Sequence, residues 1–317
     1  MEQTTQIINR VLPILFLIFL GNWIRRRDFL PDSTVEDLKK IVVNFALPAV
    51  LFISFLEVQL QSAYLVIFGL TFFLCILLFW LGKFIRQQFN IQYTYFPFLI
   101  TGFEYGMLGI SLFGSVYGLE KIGYIAVVDL GHEIFIWFVF LALLLSKREG
   151  IQNPGQLVTA FFKSPVILAI LSSIILNIIG AKEFLYQRPV TGAFMATFQF
   201  LGNLTIPLIL IIVGYGIRFD RHGAREALVV VVIRLTILIP LALVLNIFLI
   251  RGLLQLERLF EVALFTLFIL PPPFIVPLYV RQDITADEKR YINNVLTLHA
   301  VISIAVYIVY LIANPGV

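Results

Sequence analysis

The chain has 317 residues, of which 60% are hydrophobic and only 13% charged, with a formal net charge of +4. A mean hydropathy of +0.97 excludes a water-soluble domain of this length, and the long apolar runs exclude a porin-like barrel, whose strands alternate apolar and polar over about ten residues. Basic loops beside membrane helices explain the positive charge without a nucleic-acid partner, and a single cysteine, Cys75, provides neither an internal disulfide nor a cysteine metal cluster.

A helix crosses a bilayer in about 20 apolar residues. On that measure the sequence predicts an all-α polytopic membrane protein with ten transmembrane helices, at about 6–24, 35–58, 63–85, 93–117, 121–146, 158–180, 190–215, 225–250, 258–280 and 289–313. The first is expected to be a permanent span, because Met1 to Asn9 has no basic region and no small-x-small cleavage site follows. One polar interruption, Ser146 to Lys163 with Asn153-Pro154-Gly155 inside it, lies midway. It divides the chain into a first five-helix repeat (1–146), a cytoplasmic linker (147–163) and a second five-helix repeat (164–317).

Most Lys and Arg fall after the odd-numbered spans: Arg25 to Arg27 with Lys39 and Lys40, then Lys83 and Arg86, Lys147, Arg148 and Lys163, Arg218, Arg221 and Arg225, and Arg281 with Lys289 and Arg290. The positive-inside rule places those loops in the cytoplasm and both termini on the other side of a bacterial inner or plasma membrane. An odd number of spans per repeat then inverts one half against the other, with the pseudo-two-fold axis in the membrane plane.

In span 2, Asn44 precedes Pro48 by four residues, and in span 7 Asn203 precedes Pro207 by four. Proline has no N–H, so each leaves the carbonyl of its Asn without a helical partner, and lipid cannot supply one. Pro48 and Pro207 are therefore either hinges beside a substrate path or packing kinks; the repetition favours the first. Span 4 is polar at its middle, where Glu104, Tyr105, Gly106, Gly109 and Ser111 fall at bilayer depth. The glycines favour unwinding or a close crossing. A charged Glu104 would cost on the order of 2.5 kcal/mol or more there, so it should face inward or carry a proton, which makes it a candidate for coupling.

Span 5 sets Asp129, His132 and Glu133 on one helical face, a proton path or a cation site, although one imidazole among acids is more often an ion-paired structural cluster; no metal is expected. Arg234 in span 8 either neutralises an acid such as Glu104 or Glu133 or meets a substrate carboxylate, and pairing is the simpler reading. In span 9 Pro271, Pro272 and Pro273 cannot continue an α-helix and predict an extended break before Phe274. Spans 4 and 9 occupy matching places in the two halves, and paired broken helices are the sequence pointer to a binding site. Their half-helix N-termini would offer N–H groups to an anion. His299 in span 10, near Asn293 and Asn294, is read as part of a satisfied polar face.

At these residues the chain resembles the auxin efflux carrier family, the PIN-like transporters and their bacterial relatives. The most specific stretch is Lys39 to Phe55, with Asn44-Phe45-Ala46-Leu47-Pro48 followed by Leu51-Phe52; the glycine-rich span 4, Gly214-Tyr215-Gly216 and Pro271-Pro272 also match. The resemblance implies a fold like that of the bile-acid sodium symporters, with broken helices 4 and 9 crossing. It implies a scaffold of helices 1, 2, 6 and 7, a transport unit of helices 3–5 and 8–10, and a homodimer formed through the scaffold. Family substrates are organic anions, auxin in plants and dicarboxylates in bacteria. Two departures stand out: Glu104 where the family carries Asn, and Ser111 where it carries Pro.

Together these readings predict a secondary transporter of a small organic anion working by elevator-type alternating access, with H+ or Na+ as coupling ion and no cofactor. No phosphate-binding glycine loop points to ATP, and neither a His-Glu-x-x-His motif nor a Ser–His pair points to an enzyme. A sodium symporter of bile-acid type and a membrane sensor that binds without transporting are the rivals.

Overall fold

Proline or glycine ends several of the helices of this chain, while Asp28, Asn90 and Gln255 take left-handed turns after others. The computed structural model describes residues 2–149, 154–217, 222–281 and 283–314. They form helices α1 (Glu2–Arg26), α2 (Asp32–Glu57), α3 (Ala63–Gln88), α4 (Phe96–Ile100), α5 (residues 105–117), α6 (Leu119–Lys147), α7 (Pro154–Lys163), α8 (Pro165–Ile178), α9 (Lys182–Gln187), α10 (Pro189–Gly216), α11 (Ala224–Leu253), α12 (Arg258–Ile269) and α13 (Ala286–Ala313), with no strand among the described residues. Seven segments among them are long and apolar enough to cross a membrane: α2, α3, the interrupted run Phe96–Tyr117, α6, α10, α11 and α13. Of the other expected spans, α1 has 25 residues, α8 has 14 and α12 has 12.

Residues 154–163 of the expected linker are helix α7, which ends at Lys163 because Pro165 holds Ser164 in an extended conformation (φ −66°, ψ 123°); residues 150–153 lie outside the described set. One expectation needs correction. Span 9 is helical only to Ile269. Leu270 is extended (φ −64°, ψ 151°), and beyond the prolines only a short turn at Val276–Leu278 follows.

The chain folds into two compact units, each drawing on both sequence halves. The first comprises Met1–Leu60, Gly106–Ala126 and Thr159–Ile217. Its helices approach closely through glycine: a Cβ on Gly21 would lie 2.0 Å from the Ile211 carbonyl oxygen, and one on Gly214 would lie 2.0 Å from that of Ile18, so α1 and α10 cross backbone on backbone. Their C-terminal ends share caps. Arg25 donates to the carbonyls of Tyr215 and Ile217, while the Tyr215 hydroxyl bonds Leu30 O (3.1 Å) and Asp32 Oδ1 (2.7 Å). Asn177 of α8 closes the far end of α2, donating at 2.7 Å to both Phe55 O and Val58 O. These bonds answer the orphan carbonyls that every helix end leaves.

The second unit comprises Gln61–Tyr105, Val127–Val158 and Arg218–Val317. Gly131 lets α6 press on α3, where a Cβ would stand 2.0 Å from Phe68 O. The start of α4 is held by stacking of Tyr93 on Tyr291 (3.6 Å between centroids), by Tyr95 N–H on Glu288 (2.8 Å), and by Lys147 on Thr94 O (2.8 Å). At the other end Asn246 donates to Glu261 O (2.9 Å), and Arg251 grips the Glu261 carboxylate with two bonds of 3.0 and 2.7 Å.

Candidate functional site

The site is built inside the second unit, where two helices stop short. Helix α4 ends at Ile100 and the chain runs without helical bonds from Thr101 to Glu104. Gly102 makes this possible. Its φ is +72°, a region costly for residues with a Cβ, and a Cβ there would lie 2.8 Å from Cγ of Pro273. The second interruption, Leu270 to Ile275, lies directly against the first: Glu104 N–H donates to Pro271 O (2.8 Å), and Phe274 N–H donates to the Glu104 carboxylate (2.5 Å). Glu104 thus joins the two broken segments through both its backbone and its side chain.

Arg234 of α11 ties the same segments from the other side. It is 1% exposed, and its guanidinium donates to Ile100 O (2.5 Å), Gly102 O (2.8 Å) and Leu270 O (3.0 Å), with a longer bond to Leu99 O (3.5 Å). One cation therefore answers the orphan carbonyls, and the negative dipole ends, of both interrupted helices. Its central carbon lies 5.5 Å from the Phe103 ring, which stacks on Phe268 at 5.6 Å. The expected pairing of Arg234 with Glu104 or Glu133 is not what its hydrogen bonds make; backbone carbonyls take its donors because the chain breaks expose them.

The acidic face of α6 also reaches this segment. Phe103 N–H donates to His132 Nε2 (2.9 Å), and His132 Nδ1 lies 2.7 Å from Asp129 Oδ1. A backbone N–H can only donate, so Nε2 is the acceptor. The imidazole is then the neutral tautomer, its proton on Nδ1 and directed at Asp129. Glu133 accepts from Trp137 Nε1 (2.9 Å). One ligand atom from each of Asp129, His132 and Glu133 can be chosen within 4.8 Å of the others, but both imidazole nitrogens are engaged.

Glu104, Pro271, Pro272, Pro273 and Phe274 are brought together, with Asp129, His132 and Arg234 bonded around them in the same unit. Tyr105 is buried beside Glu104 in sequence, and its hydroxyl has no hydrogen-bond partner. The unwinding expected at Gly106 and Gly109 falls instead at 101–104, because Gly102 supplies the left-handed turn and the backbone is helical again, as a π turn, over Tyr105–Gly109. Gly106, Gly109 and Ser111 belong to the first unit, where Ser111 bonds back to Met107 O (2.6 Å). The N–H groups of Phe103, Glu104 and Phe274, in the two interrupted segments, have partners within the protein.

Both Asn–Pro pairs lie in the first unit. Asn44 is exposed and folds back on Lys40 O (2.7 Å) within a π turn, Val42–Ala46, that precedes Pro48. Asn203 is exposed as well, and α10 stays helical through Pro207. His299 corrects another expectation: it is fully buried and neither ring nitrogen has a hydrogen-bond partner. Sequence reading missed Gly102, Phe103 and Ser303, whose hydroxyl bonds Ile269 O (2.5 Å) at the end of α12. A glycine two residues before an intramembrane acid was the available signal for the first.

A family model described as membrane transport protein matches residues 6–311. An uncharacterized transporter of Methanothermobacter thermautotrophicus is 26% identical over 237 residues, covering 72% of this chain and 74% of its own length. The uncharacterized transporter YfdV of Escherichia coli K12 is 24% identical over 258 residues, covering 76% of this chain and 78% of its own.

Proposed function

This chain belongs to the auxin efflux carrier family of membrane transport proteins, and we propose that it is a secondary carrier of a small organic acid, coupled to protons through Glu104. The observation that carries this reading is the meeting of two interrupted segments, Thr101–Glu104 and Leu270–Ile275, joined by Glu104. Irregular backbone at membrane depth persists only where protein or a water-filled cavity surrounds it, and paired broken helices are where carriers hold their cargo.

Glu104 sets the terms of binding. Its carboxylate occupies the Phe274 N–H, the kind of donor a cargo carboxylate would seek. Two carboxylates at that place repel each other, so cargo binding calls for a proton on Glu104 and release of its bond to Phe274. The proton and the acid then move together. The division into two units supports an elevator: the first holds α1, α2, α8 and α10, and the second holds α3, α4, α11, α12 and α13. The family resemblance implies a scaffold and a moving body divided along similar lines, apart from residues 106–126, which group with the first unit. We take the topology to be ten spans in two inverted fives with both termini non-cytoplasmic, and the assembly to be a dimer through the first unit.

The test is uptake of indole-3-acetate, malonate and malate into proteoliposomes, with and without an inward proton gradient. Gradient-driven uptake of one of them is expected. Saturable binding without uptake would favour the sensor reading instead.

A further inference from the structure

Carriers built on broken helices commonly use the freed carbonyls, and the C-terminal ends of the half-helices, to coordinate a sodium ion. Such carbonyls are present here at the ends of α4 and α12. They are also occupied. Ile100 O, Gly102 O and Leu270 O accept from the Arg234 guanidinium at 2.5 to 3.0 Å, and Leu99 O lies at 3.5 Å. Of their neighbours, Pro271 O accepts from Glu104 N–H (2.8 Å), Ile269 O from Ser303 (2.5 Å), and Pro97 O from Thr101 (2.8 Å). The residues fit a guanidinium, and each of these carbonyls already accepts a hydrogen bond from within the protein.

We propose that Arg234 is a tethered cation that permanently fills the carbonyl-lined seat where the two interrupted helices meet, in place of a bound sodium ion. This deepens the transport reading and rests on it for its consequence, a carrier that runs without sodium; the occupancy of the seat stands on the hydrogen bonds alone. Two physical features suit the side chain to the task. The planar fork of the guanidinium reaches carbonyls of two separate segments at once, and it is more weakly hydrated than an ammonium. Charge burial is answered by the dipole ends of α4 and α12 and by the Phe103 ring face. Its Nε, buried and without a hydrogen-bond partner, shows that the fit to the carbonyls is made by the terminal nitrogens.

The experiment is thermal unfolding of the purified full-length protein in chloride salts of sodium, lithium and choline at equal ionic strength. The wild type is expected to show the same midpoint in all three. Arg234→Ala is expected to lose stability and to regain part of it in low concentrations of methylguanidinium, beyond what choline gives. Arg234→Lys, which keeps a positive charge of the wrong shape, is expected to fall between and to respond less to methylguanidinium. A saturable, sodium-specific rise in the wild-type midpoint would overturn the proposal, even if neither variant folds. So would an Arg234→Ala protein as stable as the wild type, or one equally restored by choline. None of these readings uses transport, so failure to find a transported acid would count against the functional reading and leave the seat's occupancy untouched.

Discussion

The backbone N–H of Phe274 points at the carboxylate of Glu104, 2.5 Å away and 170 residues distant in sequence. The bond joins a proline-made break to a glycine-made one. Each break alone would leave unsatisfied backbone groups at membrane depth; together they satisfy several of one another's, and Arg234 and His132 bond others. The segments are fixed by specific bonds, one of them to a titratable side chain.

Gly102→Ala tests the first break. The left-handed conformation costs an L-residue about 1–2 kcal/mol, and the new Cβ would stand 2.8 Å from Pro273. A lower unfolding midpoint in detergent is expected, with reduced uptake. Gly69→Ala is the control, since a Cβ there meets nothing within 4 Å; alanine inside a helix should leave the midpoint unchanged or slightly raised.

Gly214→Ala and Gly21→Ala test the crossing of α1 and α10. Each new Cβ would fall 2.0 Å from a carbonyl oxygen, so the helices must part and surrender contacts along their length. Overpacking of this kind costs about 1–3 kcal/mol or more. Both variants should unfold at lower temperature than Gly69→Ala, and a midpoint equal to the wild type's would show that the helices do not approach so closely.

His132→Ala removes the acceptor of Phe103 N–H and the donor to Asp129 together. A buried group left unsatisfied costs about 1–3 kcal/mol, so the midpoint should drop clearly. Asp129→Asn keeps an oxygen acceptor for the imidazole proton and should be milder. Should the order reverse, the neutral tautomer assigned to His132 would be wrong.

Much of this was legible in the sequence, for physical reasons. Apolar runs of helix length dictate membrane helices whatever their tertiary packing, and three prolines dictate a break. The acid at 104 was legible as costly and hence inward-facing. What sequence could not supply was pairing. Arg234 was read as the partner of a carboxylate because opposite charges attract; it bonds carbonyls because two breaks at different places in the chain present their orphan groups to it. Gly106 and Gly109 looked like the weak point of span 4, yet the left-handed turn falls at Gly102, where a Cβ would stand 2.8 Å from Pro273. Asn44 and Asn203 advertised a repeat, but their side chains are exposed on the first unit and that of Asn44 bonds its own helix. Local propensity is written in the chain; the meeting of two interrupted segments is a long-range fact.

The most direct measurement compares wild type with Glu104→Gln in proteoliposomes at several internal and external pH values. Gln retains an oxygen that can accept from Phe274 but cannot exchange a proton. With the wild type, an inward proton gradient is expected to accelerate uptake of the transported acid. With Glu104→Gln, residual uptake or exchange should continue without any response to the gradient. A variant that remains gradient-driven to the wild-type extent would contradict the account and remove Glu104 from the coupling.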